Sequence, residues 1–397
     1  MTLRNFSRQP KANSGFRKRS SFRTPFKRVR KKSNINIARF INKVKPLEPN
    51  EQFVSEHSFN DFAIEQILKD NISLRGYLSP TPIQDKVIPH VLKGADVVGV
   101  ANTGTGKTGA FLIPLFQKIL KNPKEKVLIV VPTRELAIQI DDELRSLALR
   151  MQTYSVCCVG GANIGQQIAK LRRNHNFVIG TPGRLKDLIQ RKVIRLEEFN
   201  SVVLDEVDRM FDMGFIRDVK FLMLGLPKMR HSLFFSATIS KEIYKMIDEF
   251  LRNPVIISVK TRETAENVDQ DVIKTGGKAK IEVLHDMLIK PEFSKVLIFG
   301  RTKQGVERLS RDLSDRGFKA RSIHGNKNQS QRQNALNLFR NNQLQILVAT
   351  DVVARGLDIS NITHVINYEI PESYDDYIHR IGRTGRANKK GIALTFV

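Results

Sequence analysis

Three short runs carry the clearest chemistry in this chain. The first is Ala101-Asn102-Thr103-Gly104-Thr105-Gly106-Lys107-Thr108, which follows an apolar run and precedes an apolar, helix-like segment. Glycines in such a turn let backbone N–H groups wrap phosphates. Lys107 would reach the outer phosphates, and the Thr108 hydroxyl would ligate Mg²⁺. The first position is Ala101 where the generic phosphate-loop pattern has glycine. The second run, Val202-Val203-Leu204-Asp205-Glu206-Val207-Asp208, is an apolar stretch ending in carboxylates. Asp205 can hold a metal through water, and Glu206 can orient or deprotonate an attacking water. Phosphoryl transfer needs that division of labour. The third run, His379-Arg380-Ile381-Gly382-Arg383-Thr384-Gly385-Arg386, repeats arginine every third residue among glycines. Arginines presented across a cleft would stabilise charge developing on a γ-phosphate.

These runs need rigid elements to position them, and the apolar pattern supplies candidates. Val97–Val100, Val127–Val131, Val156–Val159, Phe177–Ile179, Val202–Leu204 and Leu233–Phe235 read as buried strands separated by amphipathic helices. That alternation predicts a parallel sheet covered on both faces. After Val255–Val259, the polar stretch Lys260–Asn267 reads as a linker. A second series follows, with strands that include Val296–Phe299, Ala320–Ile323, Ile346–Ala349, His364–Asn367 and Ala393–Phe396. The expected organisation is a basic disordered tail over 1–45, one α/β domain over 46–259, a linker over 260–267 and a second α/β domain over 268–397. A cleft is expected between the two domains.

Composition narrows the class. Of the 397 residues, 41% are hydrophobic and 27% charged, which suits globular cores. No run reaches the length of a membrane span, and no secretory signal is readable near the start. The two cysteines, Cys157 and Cys158, are adjacent in an apolar strand, so strand packing is expected rather than a disulfide or metal role. A reducing, cytoplasmic setting follows. Lys and Arg exceed Asp and Glu by 26, and 15 of that excess lies in residues 1–45, which contain no acid. A polyanion is the natural partner, and nucleic acid fits better than a membrane because no amphipathic apolar face accompanies the charge.

With these runs in place, the sequence from about Phe59 to Val397 resembles the DEAD-box RNA helicases of superfamily 2. The resemblance rests on many motifs in order. Phe59 and Gly76-Tyr77-Leu78-Ser79-Pro80-Thr81-Pro82-Ile83-Gln84 look like the family's Q motif, which implies that Gln84 reads the adenine edge, with Thr81 beside it and Phe59 supporting the base. A carboxamide can pair bidentately with adenine, in agreement. Asn102, Thr103, Gly104, Thr105, Gly106, Lys107 and Thr108 would bind the nucleotide phosphates. Pro132-Thr133-Arg134-Glu135-Leu136-Ala137, Gly160-Gly161 and Thr181-Pro182-Gly183-Arg184 match the first domain's RNA-contacting motifs. Ser236-Ala237-Thr238 matches the motif that links hydrolysis to strand separation, together with Asp208. In the second domain Phe299, His324-Gly325, Gln329, Arg332 and Ala349-Thr350-Asp351 through Ala354-Arg355-Gly356-Leu357-Asp358 match in order. Gly325, Gln329, Arg332 and Thr350 would meet RNA, Gly356 and Asp358 the nucleotide, and Arg383 and Arg386 would be the arginine fingers, with His379 in the same motif.

The resemblance implies two RecA-like domains, ATP and Mg²⁺ as cofactors, and a monomer acting on single-stranded or short duplex RNA through sequence-independent backbone contacts. Short Gly-, Thr-, Pro- and Arg-rich loops at strand ends suit that kind of contact. Three departures stand out. The signature reads D-E-V-D, with Val207 beside the carboxylates. The chain ends just after a strand where relatives continue into a closing helix, and Val352-Val353 are larger than usual in their motif. Competing readings are an ATP-gated RNA clamp with little unwinding, a DNA helicase of the same superfamily, and a scaffold with a dead ATPase site. The intact Lys107, Asp205, Glu206 and Arg383 argue against the last.

Overall fold

The structure is a computed structural model that describes residues 40–42, 53–102, 104–259, 268–351, 359, 361–385 and 390–397. The tail before Phe40, the linker 260–267 and the site candidates Thr103, Gly356, Asp358 and Arg386 lie outside the described residues.

Two α/β lobes follow one another along the chain. In the first, helices α1 (Gln66–Leu74) and α2 (Pro82–Leu92) precede β1 (Val97–Val100), and α3 (Lys107–Lys121) leads to β2 (Val127–Val130). Next come α4 (Arg134–Leu147), β3 (Ser155–Cys158), α5 (Ile164–Leu171), β4 (Phe177–Gly180) and α6 (Pro182–Gln190). The lobe closes with β5 (Ser201–Leu204), α7 (Val207–Asp212), α8 (Ile216–Gly225), β6 (His231–Ser236), α9 (Lys241–Phe250) and β7 (Val255–Ser258). All pairings are parallel, in the order β3-β4-β2-β5-β6-β1-β7. The second lobe contains β8 (Val268–Ile273), α10 (Lys280–Leu288), β9 (Val296–Phe299), α11 (Lys303–Asp315) and β10 (Ala320–Ile323). It continues with α12 (Gln329–Arg340), β11 (Ile346–Ala349), β12 (His364–Asn367), α13 (Tyr374–Ile381) and β13 (Gly391–Phe396). Its strands are also parallel, in the order β10-β11-β9-β12-β13-β8.

The near-continuous apolar strands follow from this burial on both faces. Val127 and Ile129 join the core on one side of the first sheet, and Leu128 and Val130 the core on the other. In the second sheet Leu297 and Phe299 face one core and Val296 and Ile298 the other. The period of two therefore divides each strand between two helix layers instead of exposing half of it. Gly99 is required by close packing, since a Cβ there would stand 2.5 Å from the Phe235 ring. Cys158 is buried in β3 and Cys157 partly so, and burial raises both thiols, Cys158 to about 12. They serve as packing residues, as expected.

Two features differ from the sequence reading. Strand β8 carries Asp269 and Asp271 and lacked an apolar signature, yet it pairs with β13 over six residues. Phe40, Ile41 and Asn42 fall within the expected tail, but Phe40 is fully buried against the second lobe. Among the described residues no helix is long and apolar enough to cross a membrane.

Candidate active site

The first lobe's sequence-derived candidates gather at the carboxyl ends of its strands, where open parallel sheets bind ligands. Strand β1 runs into the glycine loop, and α3 begins at Lys107. Gly104 and Gly106 have φ of 84° and 92°, a left-handed backbone that only glycine adopts without strain. Thr105 Oγ1 donates to the Asn102 carbonyl at 2.8 Å, which closes the turn. Lys107 is buried, and its Nζ donates to the Ala101 carbonyl at 2.8 Å. A cavity of about 180 Å³ has Gly104, Gly106, Lys107 and Thr108 on its wall, together with Asp205 and Glu206.

The Q-like segment is fastened to this loop. Gln84 is buried; its Oε1 accepts from the Thr81 N–H at 3.0 Å and its Nε2 donates to the Gly106 carbonyl at 3.0 Å. A Cβ on Gly106 would lie 2.7 Å from Gln84 Nε2 and 2.8 Å from Thr81 Oγ1. Thr81 Oγ1 is buried without a partner, a polar atom aimed at the loop. Phe59 stacks on Tyr77 with ring centroids 6.0 Å apart. Gln84 thus braces the loop with the group that the resemblance assigns to adenine.

The carboxylates follow β5. The Glu206 N–H donates to Asp205 Oδ1 at 2.9 Å. Glu206 has φ of 55°, uncommon for a residue with a side chain, and it turns the chain into α7. Its carboxylate pairs with Arg209 Nη1 at 2.7 Å, both side chains being buried. Burial raises the Asp205 carboxyl to about 7, against the pull of Lys107. Burial also acts on Asp208, but Lys107, Arg209, the Thr238 N–H and His379 outweigh it and hold that carboxyl below its ordinary value. Asp208 Oδ2 accepts from the N–H groups of Ala237 and Thr238, both at 3.0 Å, and from Thr238 Oγ1 at 3.2 Å. Ser236 Oγ accepts from the Asp208 N–H at 3.3 Å and donates to the Thr238 carbonyl at 2.7 Å. The carboxylate turn and the Ser236-Ala237-Thr238 segment are thus one hydrogen-bonded unit.

The first-lobe candidates for RNA also come together. Thr133 caps α4, its Oγ1 accepting from the Leu136 N–H at 3.2 Å after Pro132 ends the strand region. The Arg134 side chain lies on the Gly160-Gly161 backbone, and a Cβ on Gly161 would be 2.2 Å from Arg134 Nη1. Thr181 is the N-cap residue of α6, with Pro182 and Gly183 in its first turn. Arg184 donates to Gln167 Oε1 at 2.9 Å. Burial, then the nearby Arg332 and Arg184, lower the Arg134 guanidinium. The three arginines share one region, with Arg332 paired to Glu135 and Arg184 3.9 Å from Asp187, so positive charge is in excess there.

In the second lobe the placements diverge. Arg332 is buried and forms an ion pair with Glu135 of the first lobe. Gln329 carries two buried amide atoms without partners. His324 Nε2 meets Glu307 Oε2 at 2.9 Å, and Gly325 follows it on an exposed turn. Glu307 also accepts from Ser322 Oγ at 2.5 Å, and those bonds with Lys327 draw its carboxyl down to about 2. Thr350 is buried at the end of β11. Arg380 is anchored rather than presented: it donates to both Asp351 carboxylate oxygens at 2.5 and 2.8 Å, and to Asn367 Oδ1 at 3.0 Å. Arg383 is buried, with its Nε donating to the His379 carbonyl at 3.2 Å. Sequence reasoning missed Arg209, Glu307 and Asn367 as site-building residues, and placed Asp351 in a matched motif without a role of its own. Of the three missed, only Arg209 adjoins a run that could have signalled it.

Among the described residues no three His, Cys, Asp or Glu side chains form a metal cage. Mg²⁺ is commonly held by one or two protein oxygens together with substrate phosphates, and Thr108 and Asp205 on one cavity wall fit that donor set.

Comparison with known proteins agrees with this geometry. Residues 81–246 match the DEAD/DEAH box helicase family, and residues 279–388 match the helicase conserved C-terminal domain. The "ATP-dependent RNA helicase CshA" of Listeria monocytogenes is 43% identical over 341 residues, covering 85% of this chain and 66% of that protein. The "DEAD-box ATP-dependent RNA helicase CshA" of Bacillus licheniformis is 42% identical, covering 86% of this chain and 70% of that protein. This chain thus spans about two thirds of the length of these relatives. The structure described as S. cerevisiae Dbp5 bound to RNA and ADP BeF3 superposes with a TM-score of 0.74 at 26% identity, covering 86% of this chain and 89% of that one. Two tandem RecA-like lobes, a phosphate loop tied to a Q-like segment and this level of identity place the chain in the DEAD-box ATP-dependent RNA helicase family.

Proposed function

We propose that the chain is an RNA-stimulated ATP hydrolase that couples hydrolysis to local unwinding of short RNA duplexes. The observation that carries this reading is the hydrogen-bonded unit of Asp208 with Ser236, Ala237 and Thr238, one turn of chain away from Asp205 and Glu206. It makes the hydrolytic carboxylates and a loop at the end of β6 move together.

Lys107 and the glycine-loop N–H groups bind the phosphates, and Gln84 with Phe59 and Thr81 holds the base. Glu206 orients or deprotonates the attacking water. Bound Mg²⁺, held by Thr108 and Asp205 largely through water, would neutralise charge on the phosphate oxygens. Arg383 and Arg386, with His379 in the same run, approach from the second lobe. Gly356 and Asp358 contact the nucleotide there. Pro132, Thr133, Arg134, Gly160, Gly161, Thr181, Pro182, Gly183 and Arg184 hold the RNA backbone on one side. Gly325, Gln329, Arg332 and Thr350 hold it on the other. ATP and RNA favour the closed arrangement of the lobes, and the bound strand bends as they close. The D-E-V-D variant retains every carboxylate, so Val207 leaves the chemistry in place. The protein acts as a monomer of the cytoplasm, without sequence preference for its RNA.

Steady-state ATPase assays with RNA test the assignment. Lys107→Ala should abolish turnover, and Glu206→Gln should reduce kcat at least about 100-fold. Wild-type turnover in Glu206→Gln would remove Glu206 from its role.

A further inference from the structure

The chain visits the second lobe before it enters the first. Phe40 is fully buried in a cluster with Val268, Tyr377, Ile381 and Ala393. Its ring centroid lies 4.7 Å from that of Tyr377. Two residues later the Asn42 N–H donates to the Gln270 carbonyl at 3.1 Å, and the Gln270 N–H donates back at 2.8 Å. This is an antiparallel bridge on β8, the edge strand of the second sheet. The Gln270 side chain is itself buried and accepts from the Tyr377 hydroxyl at 2.9 Å.

The segment packs on α13 through Tyr377 and Ile381, and on β8 and β13 through Val268, Gln270 and Ala393. Tyr377 belongs to α13, two residues before His379 and three before the buried Arg380. Capping a sheet edge would need only backbone pairing and a polar or charged side chain. A fully buried aromatic ring goes further, because it fixes the helix from which the arginine run continues. The glycine loop and the Q-like segment lie in the first lobe.

We propose that Phe40, seated by the Asn42–Gln270 bridge, is a positioning residue for the arginines of the second lobe. It sets α13 against β8 and β13, and through α13 the placement of Arg383. The catalytic part of this proposal rests on the ATPase reading above.

The test uses the full chain with Phe40→Ala, Phe40→Leu and Asn42→Pro, the last removing the N–H that donates to Gln270 while leaving the core intact. Amide hydrogen exchange over 268–273 and 374–381 reads the docking, and ATPase kinetics at saturating RNA read the positioning. Phe40→Ala should speed exchange in both segments and lower kcat about tenfold, with KM for ATP changed less than about twofold, since on this reading the base and the phosphates are held by the first lobe. Phe40→Leu should restore most of kcat, and Asn42→Pro should fall between. Unchanged exchange in Phe40→Ala would overturn the docking. Faster exchange with unaltered kcat, or with an equal loss in KM, would overturn the positioning role. A wild-type chain lacking RNA-stimulated turnover would overturn the ATPase reading and the catalytic half of this proposal, while exchange would still report the docking.

Discussion

Glu206 stands in the left-handed region at φ 55° with its carboxylate 2.7 Å from Arg209, both groups almost without solvent. A buried pair of this kind contributes little over an apolar pair, but removing one partner strands a charge. Arg209→Met should therefore lower unfolding free energy by about 3–5 kcal/mol, read from denaturant midpoints. Arg209→Lys should recover part of the loss, because a lysine keeps the charge but not the guanidinium fork. Equal midpoints for all three proteins would show that the pair does not hold Glu206. A second residue-scale case is Gly161, at φ 76° beneath Arg134. Gly161→Ala strains the backbone and displaces Arg134, so RNA affinity should fall about tenfold in a titration at fixed salt, with KM for ATP unchanged. Retained affinity would separate Arg134 from the RNA path.

At the scale of elements, β12 holds a histidine in a place that resists charge. His364 is buried between strands, its ring stacked on Phe293 at 4.0 Å, and burial lowers it to about 4. Its folded value lies below the ordinary 6.5, so the unfolded chain binds the proton first. Stability contributed by the neutral ring is full above pH 6.5 and is lost as pH falls toward about 4, by up to roughly 3 kcal/mol. His364→Phe should flatten that part of the stability profile, measured by denaturation across this window. An unaltered slope would assign the dependence to other groups. Such elements also show how far the sequence could be read. The apolar strands, the glycine loop and the carboxylate turn are contiguous runs whose residue types carry their own geometry, so their places were legible. Strand β8 was not, because alternating Asp269 and Asp271 hide its pairing with β13. The Phe40 anchor, the Glu307 network and the Asp351–Arg380 clamp join ordinary residues far apart in sequence, and no local pattern announces such partners. Arg332 was legible as a motif residue, but its pairing with Glu135 is set by the tertiary structure.

For the whole molecule, the decisive feature of the proposed function is the division of its site. The glycine loop and carboxylates belong to the first lobe and the arginine run to the second, with Glu135 and Arg332 joining the two lobes. Turnover on this account needs both lobes engaged, and RNA that lies along both should supply the bias. The excess of 26 positive charges makes that binding salt-dependent. The most direct measurement is the steady-state ATPase rate without nucleic acid, with single-stranded RNA and with DNA of matched sequence, each at two salt concentrations. The account predicts strong stimulation by RNA, weaker or no stimulation by DNA, and a higher RNA requirement at the higher salt. Equal rates with and without RNA, in a chain that binds both ATP and RNA, would contradict it.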